Sequence, residues 1–196
     1  MIEISPRIFN LFMKPLEKRA LSKRRSELIP QARGNVLEIG AGTGVNFDYY
    51  IHENLSKLTV VELKLNSLIT NKPLNSHINI DYVVGSVEKL PFPDEIFDSV
   101  VSTLIYCSVD NPEKALSEVY RVLKPGGKMY FIEHVLPEVK LSKNLVNSLN
   151  DTWKCIGKCN LNRETYSLIK NAKFRVESFE QFGKGVIIFI KGIGVK

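Results

Sequence analysis

The sequence predicts a single α/β domain built on a mostly parallel sheet with helices on both faces, and three observations carry that prediction. Short runs rich in β-branched residues, apolar almost throughout, alternate with helix-like segments, as buried parallel strands and their crossover helices do. The first run passes directly into glycines at alternate positions, Gly40, Gly42 and Gly44. The last two runs flank Gly183, Lys184 and Gly185 and read as a closing hairpin.

A length of 196 residues suits one such core and leaves no room for a second domain of ordinary size. Residues 1–33 are expected to form an N-terminal helical lid on a core of residues 34–196. With 44% hydrophobic and 24% charged residues, the chain has the composition of a packed globular protein and not of a disordered or fibrous one. No apolar run reaches the roughly 18 residues of a membrane span. The first thirty residues carry too many charges among their apolar positions for a secretory signal, so a cytoplasmic location is expected. Cys107, Cys155 and Cys159 are odd in number and lack the usual zinc spacings, which predicts a reduced, metal-free protein.

Taken in order, Ile8, Phe9, Leu11, Phe12, Met13 and Leu16 form an amphipathic segment bent near Pro15. The net charge of +6 is concentrated there, with Arg7, Lys14, Lys18, Arg19, Lys23, Arg24 and Arg25 against Glu17. Such a stretch reads first as a solvated helix face or lid, and otherwise as a peripheral contact with an anionic membrane. Aromatic and basic residues do not interleave as base-stacking surfaces require, so no nucleic acid is expected. Val36 to Ile39, Leu58 to Glu62, Ile80 to Val84, Asp98 to Leu104 and Lys128 to His134 are the predicted parallel strands. Before the fifth, Asp110 or Asn111 can cap a helix that begins at Pro112, buries Ala115, Leu116, Val119, Val122 and Leu123, and stops at Pro125, Gly126 and Gly127. Helical stretches from about Leu141 to Trp153 and from Arg163 to Asn171 follow, then the runs Phe174 to Phe182 and Val186 to Ile193.

The glycines carry the chemistry. A buried strand running into Gly40, Ala41 and Gly42 brings backbone close to a ligand, where a Cβ at Gly40 or Gly42 would fill the space. The next strand ends in Glu62, eighteen residues beyond Gly44, where a carboxylate can accept hydrogen bonds from both hydroxyls of a ribose. The two features describe one nucleoside. A dinucleotide requires GxGxxG, with the loop turning into a helix that faces pyrophosphate. This chain has Val45 where the third glycine belongs, and instead shows GxGxG, which favours S-adenosylmethionine (SAM).

VLEIGAGTG at Val36 to Gly44 resembles motif I of the class I SAM-dependent methyltransferases. Gly85 to Phe92 resembles the family's adenine segment, Phe97 to Val100 its fourth strand, and Arg121 to Gly127 the turn into its fifth. The resemblance implies a Rossmann-like, seven-stranded, mostly parallel sheet whose last strand is antiparallel. It implies an enzyme that converts SAM to S-adenosylhomocysteine. It places Gly40, Ala41 and Gly42 along the methionine, Glu62 on the ribose, Leu63 on the adenine, Ser86 and Val87 at the purine edge, and Ser102 and Thr103 beside the methionine amino group. Asn46, just after motif I, is within reach of cofactor or substrate. Ser86 stands where the family carries aspartate, and a hydroxyl is a weaker acceptor.

GVNF at Gly44 to Phe47, STLIYCSV at Ser102 to Val109, FIEHV at Phe131 to Val135 and CNLNRET at Cys159 to Thr165 are similar to the branch that holds the alkyl-thiol S-methyltransferases and their bacterial relatives. That branch implies methyl transfer to a small molecule, a thiol first, with a quinone, phenol, amine or lipid headgroup as alternatives. A reading of another class is a SAM-fold binding module at an anionic membrane or RNA. The mammalian members carry a hydrophobic anchor where this sequence has its basic segment. His134 follows the fifth strand as a candidate general base or substrate orienter, and Tyr106 and Cys107 fall where they could line the acceptor pocket. Trp153, Cys155 and Cys159 are expected to pack in the lid. His52 and His77 have no partner motif.

Overall fold

The computed structural model describes residues 11, 13–72, 80–157 and 159–196. The expectations that rest on Arg7, Ile8, Phe9, Phe12 and His77, and on the side chain of Cys155, lie outside the described residues.

Seven strands form one sheet: β1 (Gly34–Ile39), β2 (Leu55–Glu62), β3 (Ile80–Val84), β4 (Phe97–Thr103), β5 (Leu123–Val135), β6 (Arg175–Lys184) and β7 (Ile187–Val195). Their order is β3-β2-β1-β4-β5-β7-β6. All neighbouring pairs from β3 to β5 are parallel, and β7 runs antiparallel to both β5 and β6. The order reverses between β1 and β4, which opens a crevice at their carboxyl ends.

One face of the sheet packs on α3 (Pro112–Val122) and α5 (Thr165–Asn171), through Leu37, Ile39, Val100, Leu116, Val119, Phe131 and Ile169. Asn111 caps α3 by accepting from the Lys114 amide at 2.8 Å, with Pro112 in the first turn. Asp110 does not cap: its amide and that of Asn111 donate to Glu88 at 2.9 and 3.1 Å. The other face packs on the N-terminal helix, a π turn at Glu17–Leu21 that runs into α1 (Ser22–Leu28), and on the short α2 (Ser67–Thr70), through Leu21, Leu28, Ile29, Val60, Ile69 and Ile132. The π turn begins two residues after Pro15, whose missing N–H had predicted a bend. The long α4 (Lys140–Gly157) lies between β5 and α5 in the chain.

β5 starts at Leu123, earlier than the sequence suggests. Phe97 pairs with Leu123 and Ser99 with Lys128, so the segment with Pro125, Gly126 and Gly127 bulges from the ladder between the two pairs. The hairpin ladder likewise extends to Lys184 and Ile187, leaving Gly185 and Val186 as its turn. That tip lies beside Val135, at the carboxyl edge of the sheet, because Val135 pairs with Ile188.

Candidate active site

The carboxyl ends of β1, β2 and β3 are tied in step: the Gly40 amide donates to Val61 O and the Gly85 amide to Glu62 O, each at 2.9 Å. Three glycines of the first loop adopt positive φ, 63° at Gly40, 61° at Gly42 and 72° at Gly44. Gly44 leads into a short 3-10 turn, Val45–Tyr49, not a long helix, so no helix N-terminus is offered to a pyrophosphate. The outer side of the loop is held by Asn66 Nδ2, which donates to Gly42 O at 2.8 Å, and by Lys72 Nζ, which donates to Gly44 O at 2.6 Å.

Gly40 and Gly42 are needed for different reasons. A Cβ on Gly42 would meet nothing within 4 Å, which leaves room for a ligand. A Cβ on Gly40 would lie 2.3 Å from Ile105 Cδ1. The expectation that a ligand claims the space at Gly40 is therefore corrected: the loop after β4 packs there. Ala41 is buried beside them.

The Glu62 carboxylate reaches across to accept from the Gly42 amide. Burial raises its pKa, while the Gly42 and Leu63 amides oppose the rise. Leu63 is largely exposed. Together with Gly40, Val61, Gly85, Ser86, Val87, Ile105 and Ser108 these residues line one cleft, so Gly40 of the glycine loop, the acid and the segment after β3 share a single space. Ser86 turns its oxygen toward its own chain and accepts from the Glu88 amide at 3.1 Å. Its hydroxyl keeps one proton to donate, a capacity that a carboxylate at this position would lack.

Behind the loop lies a buried polar network that the sequence does not announce. Arg25 on α1 is 4% exposed. It donates from Nε to Glu17 at 3.0 Å and from Nη1 to Thr103 Oγ1 at 3.0 Å and to Asn46 Oδ1. No hydrogen bond from its Nη2 is found among the described residues. Asn46 Nδ2 donates to Glu38 and to Thr103 Oγ1, both at 3.0 Å, so the amide has no hydrogen left for a ligand. Asn46 thus sits under the cleft as a positioning residue. Tyr50 Oη donates to Glu38 at 2.7 Å, and burial lifts the Glu38 carboxyl to about 7. Arg25 belongs to the basic run that the sequence alone suggests is solvated. The missed signal is its spacing, four residues after Leu21 and three before Leu28, on the buried stripe of the helix. Arg24 is also engaged, with its guanidinium 4.5 Å from the Phe182 ring centroid and a 2.9 Å pair to Glu180. Lys14, Lys18, Arg19 and Lys23 remain exposed.

Beyond β4 the chain turns sharply at Leu104, where φ is 58°. Glu133, fully buried on β5, fixes that turn by accepting from Ser102 Oγ at 3.0 Å and from the Ile105 and Tyr106 amides at 3.1 and 3.2 Å. Burial holds its pKa well above the usual carboxylate range. A glutamate inside an apolar strand was the available signal for it. Ser102 and Thr103 consequently part: Thr103 meets Arg25, but Ser102 turns to Glu133 in the interior and does not border the cleft. Tyr106 is also corrected. Its ring is fully buried in the core and its hydroxyl donates to Met129 Sδ at 3.3 Å, so it cannot touch an acceptor. Cys107 is buried as well, with its thiol directed at Leu104 O, Ser108 and Cys159.

His134 is 7% exposed, edge-on to Phe189 with ring centroids 5.5 Å apart. Its Nδ1 is buried without a hydrogen-bond partner, and the Val186 backbone in the hairpin tip opposes part of the pKa shift that burial causes. Burial lowers its pKa to about 4, so the imidazole is neutral near pH 7. No cluster of metal-binding side chains occurs among the described residues, and none of their helices is long and apolar enough to cross a membrane.

The Methyltransferase domain family matches residues 37–131. The chain is 38% identical to thiol S-methyltransferase TMT1B of Mus musculus over 184 residues, 85% of this chain and 75% of that one. It is 35% identical to demethylmenaquinone methyltransferase of Renibacterium salmoninarum over 102 residues, which covers 52% of this chain and 42% of the relative. The fold is shared with N-methyltransferase NodS from Bradyrhizobium japonicum WM9, solved with S-adenosyl-L-homocysteine, at a TM-score of 0.64 and 14% identity, over 90% of this chain and 87% of that one.

Proposed function

We propose that this chain, which belongs to the family of SAM-dependent methyltransferases, delivers its methyl group to the sulfur of a small thiol. The chain is an enzyme whose methyl donor is SAM and whose acceptor is a small molecule. The observation that favours sulfur is the likeness to thiol S-methyltransferase TMT1B over most of both chains, against a likeness to the quinone enzyme over about half of this one.

The cleft suits the cofactor, since Gly42 leaves space beside an aligned row of strand ends and Glu62 and Ser86 face the same opening. In this reading Gly40 to Gly42 flank the methionine chain, Glu62 accepts from the ribose hydroxyls, Leu63 and Val87 pack on the adenine, and Ser86 donates to it. Arg25 presents its Nη2 edge to the α-carboxylate while its Nη1 is fixed by Thr103 and Asn46. With Nε and Nη1 engaged, Nη2 alone is left to donate a charge-assisted hydrogen bond to the carboxylate. SAM would supply an electrophilic methyl on a sulfonium; an acceptor lone pair attacks that carbon in line as the C–S bond breaks and the sulfur leaves as the thioether of S-adenosylhomocysteine.

Aligning the acceptor and excluding water are then the protein's main tasks. A thiol with a free pKa near 8.5 already reaches the site in part as thiolate. His134, with a pKa of about 4, is too weak a base to ionise the rest, so the general-base reading is set aside. Its unpartnered Nδ1 is buried and His134 does not line the cleft, so the ring supports the end of β5 and is given no contact with the sulfur. A panel of alkyl thiols, phenols, amines and demethylated quinones tests the reading. Transfer to thiols is expected, with a rate that rises with the acceptor's own ionisation and shows no inflection near pH 6.5. Transfer to a quinone ring with none to thiols would overturn it.

A further inference from the structure

We propose that Cys107 and Cys159 form an oxidisable dithiol, a site of reversible disulfide formation beside the cofactor cleft. The two residues are far apart in the chain but are clasped together. Asn160, next to Cys159 in the connection between α4 and α5, donates to Cys107 O from its backbone amide at 2.7 Å and from Nδ2 at 3.1 Å. The clasp sets Cys159 beside Cys107, whose thiol lies 3.6 Å from both Leu104 O and Ser108 Oγ. One residue of the chain thus spends both its donors on fixing a single carbonyl, and the result is a sulfur pair held at the outer side of the loop after β4.

The pair is unequal in the way a reactive dithiol requires. Cys159 is partly exposed, whereas Cys107 is buried. The neighbouring Cys107 thiol and the Arg163 charge lower the Cys159 pKa against the opposing effects of burial and Glu133, whereas Cys159 and burial push Cys107 up. Arg163 is itself anchored, with Nη2 donating to Val109 O at 2.8 Å. Cys159 is therefore the attacking sulfur and Cys107 the resolving one.

With a peroxide as oxidant, the Cys159 sulfur attacks one oxygen, the O–O bond breaks, and a sulfenic acid forms as hydroxide leaves. The Cys107 sulfur then attacks the Cys159 sulfur. The S–S bond forms as S–O breaks, and the Cys107 proton departs with the second hydroxide as water. Two thiols lose two electrons and two protons, and the peroxide becomes two waters. The link would tie the α4–α5 connection to the loop that carries Ile105 against Gly40 and Ser108 into the cleft, so the oxidation state is written next to the cofactor. The inference does not depend on the identity of the methyl acceptor.

The test uses the whole reduced protein treated with hydrogen peroxide. Remaining thiols are alkylated and the chain is digested without reduction for mass spectrometry. A cross-linked Cys107–Cys159 peptide pair, lighter by two hydrogens and released by dithiothreitol, is expected. It should persist in Cys155→Ser and vanish in Cys159→Ser, with circular dichroism checking that both variants fold. A link through Cys155, a link between chains, or both thiols still free after peroxide that fully oxidises glutathione would each overturn the proposal. So would Cys159 driven to sulfinic acid while Cys107 stays alkylatable after unfolding.

Discussion

Glu38 offers a quantitative test of how the site is built. Its carboxyl is fully buried, accepts from Tyr50 and Asn46, and is lifted from 4.5 to about 7, with burial the largest cause and the two hydrogen bonds and the Arg25 charge opposing it. In the unfolded chain the same carboxyl releases its proton near 4.5, so between about 4.5 and 7 the folded protein holds the extra proton. Stability must therefore fall as pH rises through that window. At about 1.4 kcal/mol per unit, the full cost by pH 8 is about 3 kcal/mol. Glu38→Gln keeps the side-chain shape and an oxygen that can accept from Tyr50, but it cannot ionise. Urea unfolding followed by circular dichroism from pH 4 to 8 should show the wild type losing about 3 kcal/mol relative to the variant as pH rises. Curves that stay parallel across the whole range would refute the account of Glu38 as a carboxyl kept protonated by its surroundings.

Other perturbations probe the cleft directly. Glu62→Ala removes charge-assisted acceptors and should weaken SAM binding by roughly 2 to 4 kcal/mol in calorimetry; unchanged affinity would contradict its placement on the ribose. Arg25→Gln should weaken SAM by about 1.5 to 3 kcal/mol while leaving decarboxylated SAM nearly unaffected, and equal losses for the two ligands would show that Arg25 does not meet the carboxylate. Gly40→Ala should cost about 1 to 2 kcal/mol for its positive φ plus the displacement of Ile105, and Ile105→Ala in the same chain should recover the second part; chemical denaturation reads both.

Much of the fold was legible because its signals are local. Val36 to Ile39, Ile80 to Val84 and the Pro112 helix are apolar patterns with clear stops, and each lies within a residue or two of its predicted bounds. The glycines and Glu62 could be paired from spacing alone, since two adjacent parallel strands place their carboxyl ends side by side. Ser102, Tyr106 and Asn46 were harder. Their positions in the chain put them near the cleft, but the buried carboxylates of Glu133 and Glu38 decide where the loop and the amide turn. Arg25 was hidden by its neighbours, because a basic run looks solvated until one residue is seen to share the stripe of Leu21 and Leu28.

The sequence by itself determined that a nucleoside-binding α/β sheet would form, since hydrophobic period, glycine spacing and an acid at a strand end are properties of the chain in order. The tertiary structure alone decided which polar groups face the ligand and which support it. A buried charge or amide must find its partners wherever the fold brings them, and those partners, Arg25 with Thr103, Glu133 with the Tyr106 amide and Cys107 with Cys159, are remote in sequence.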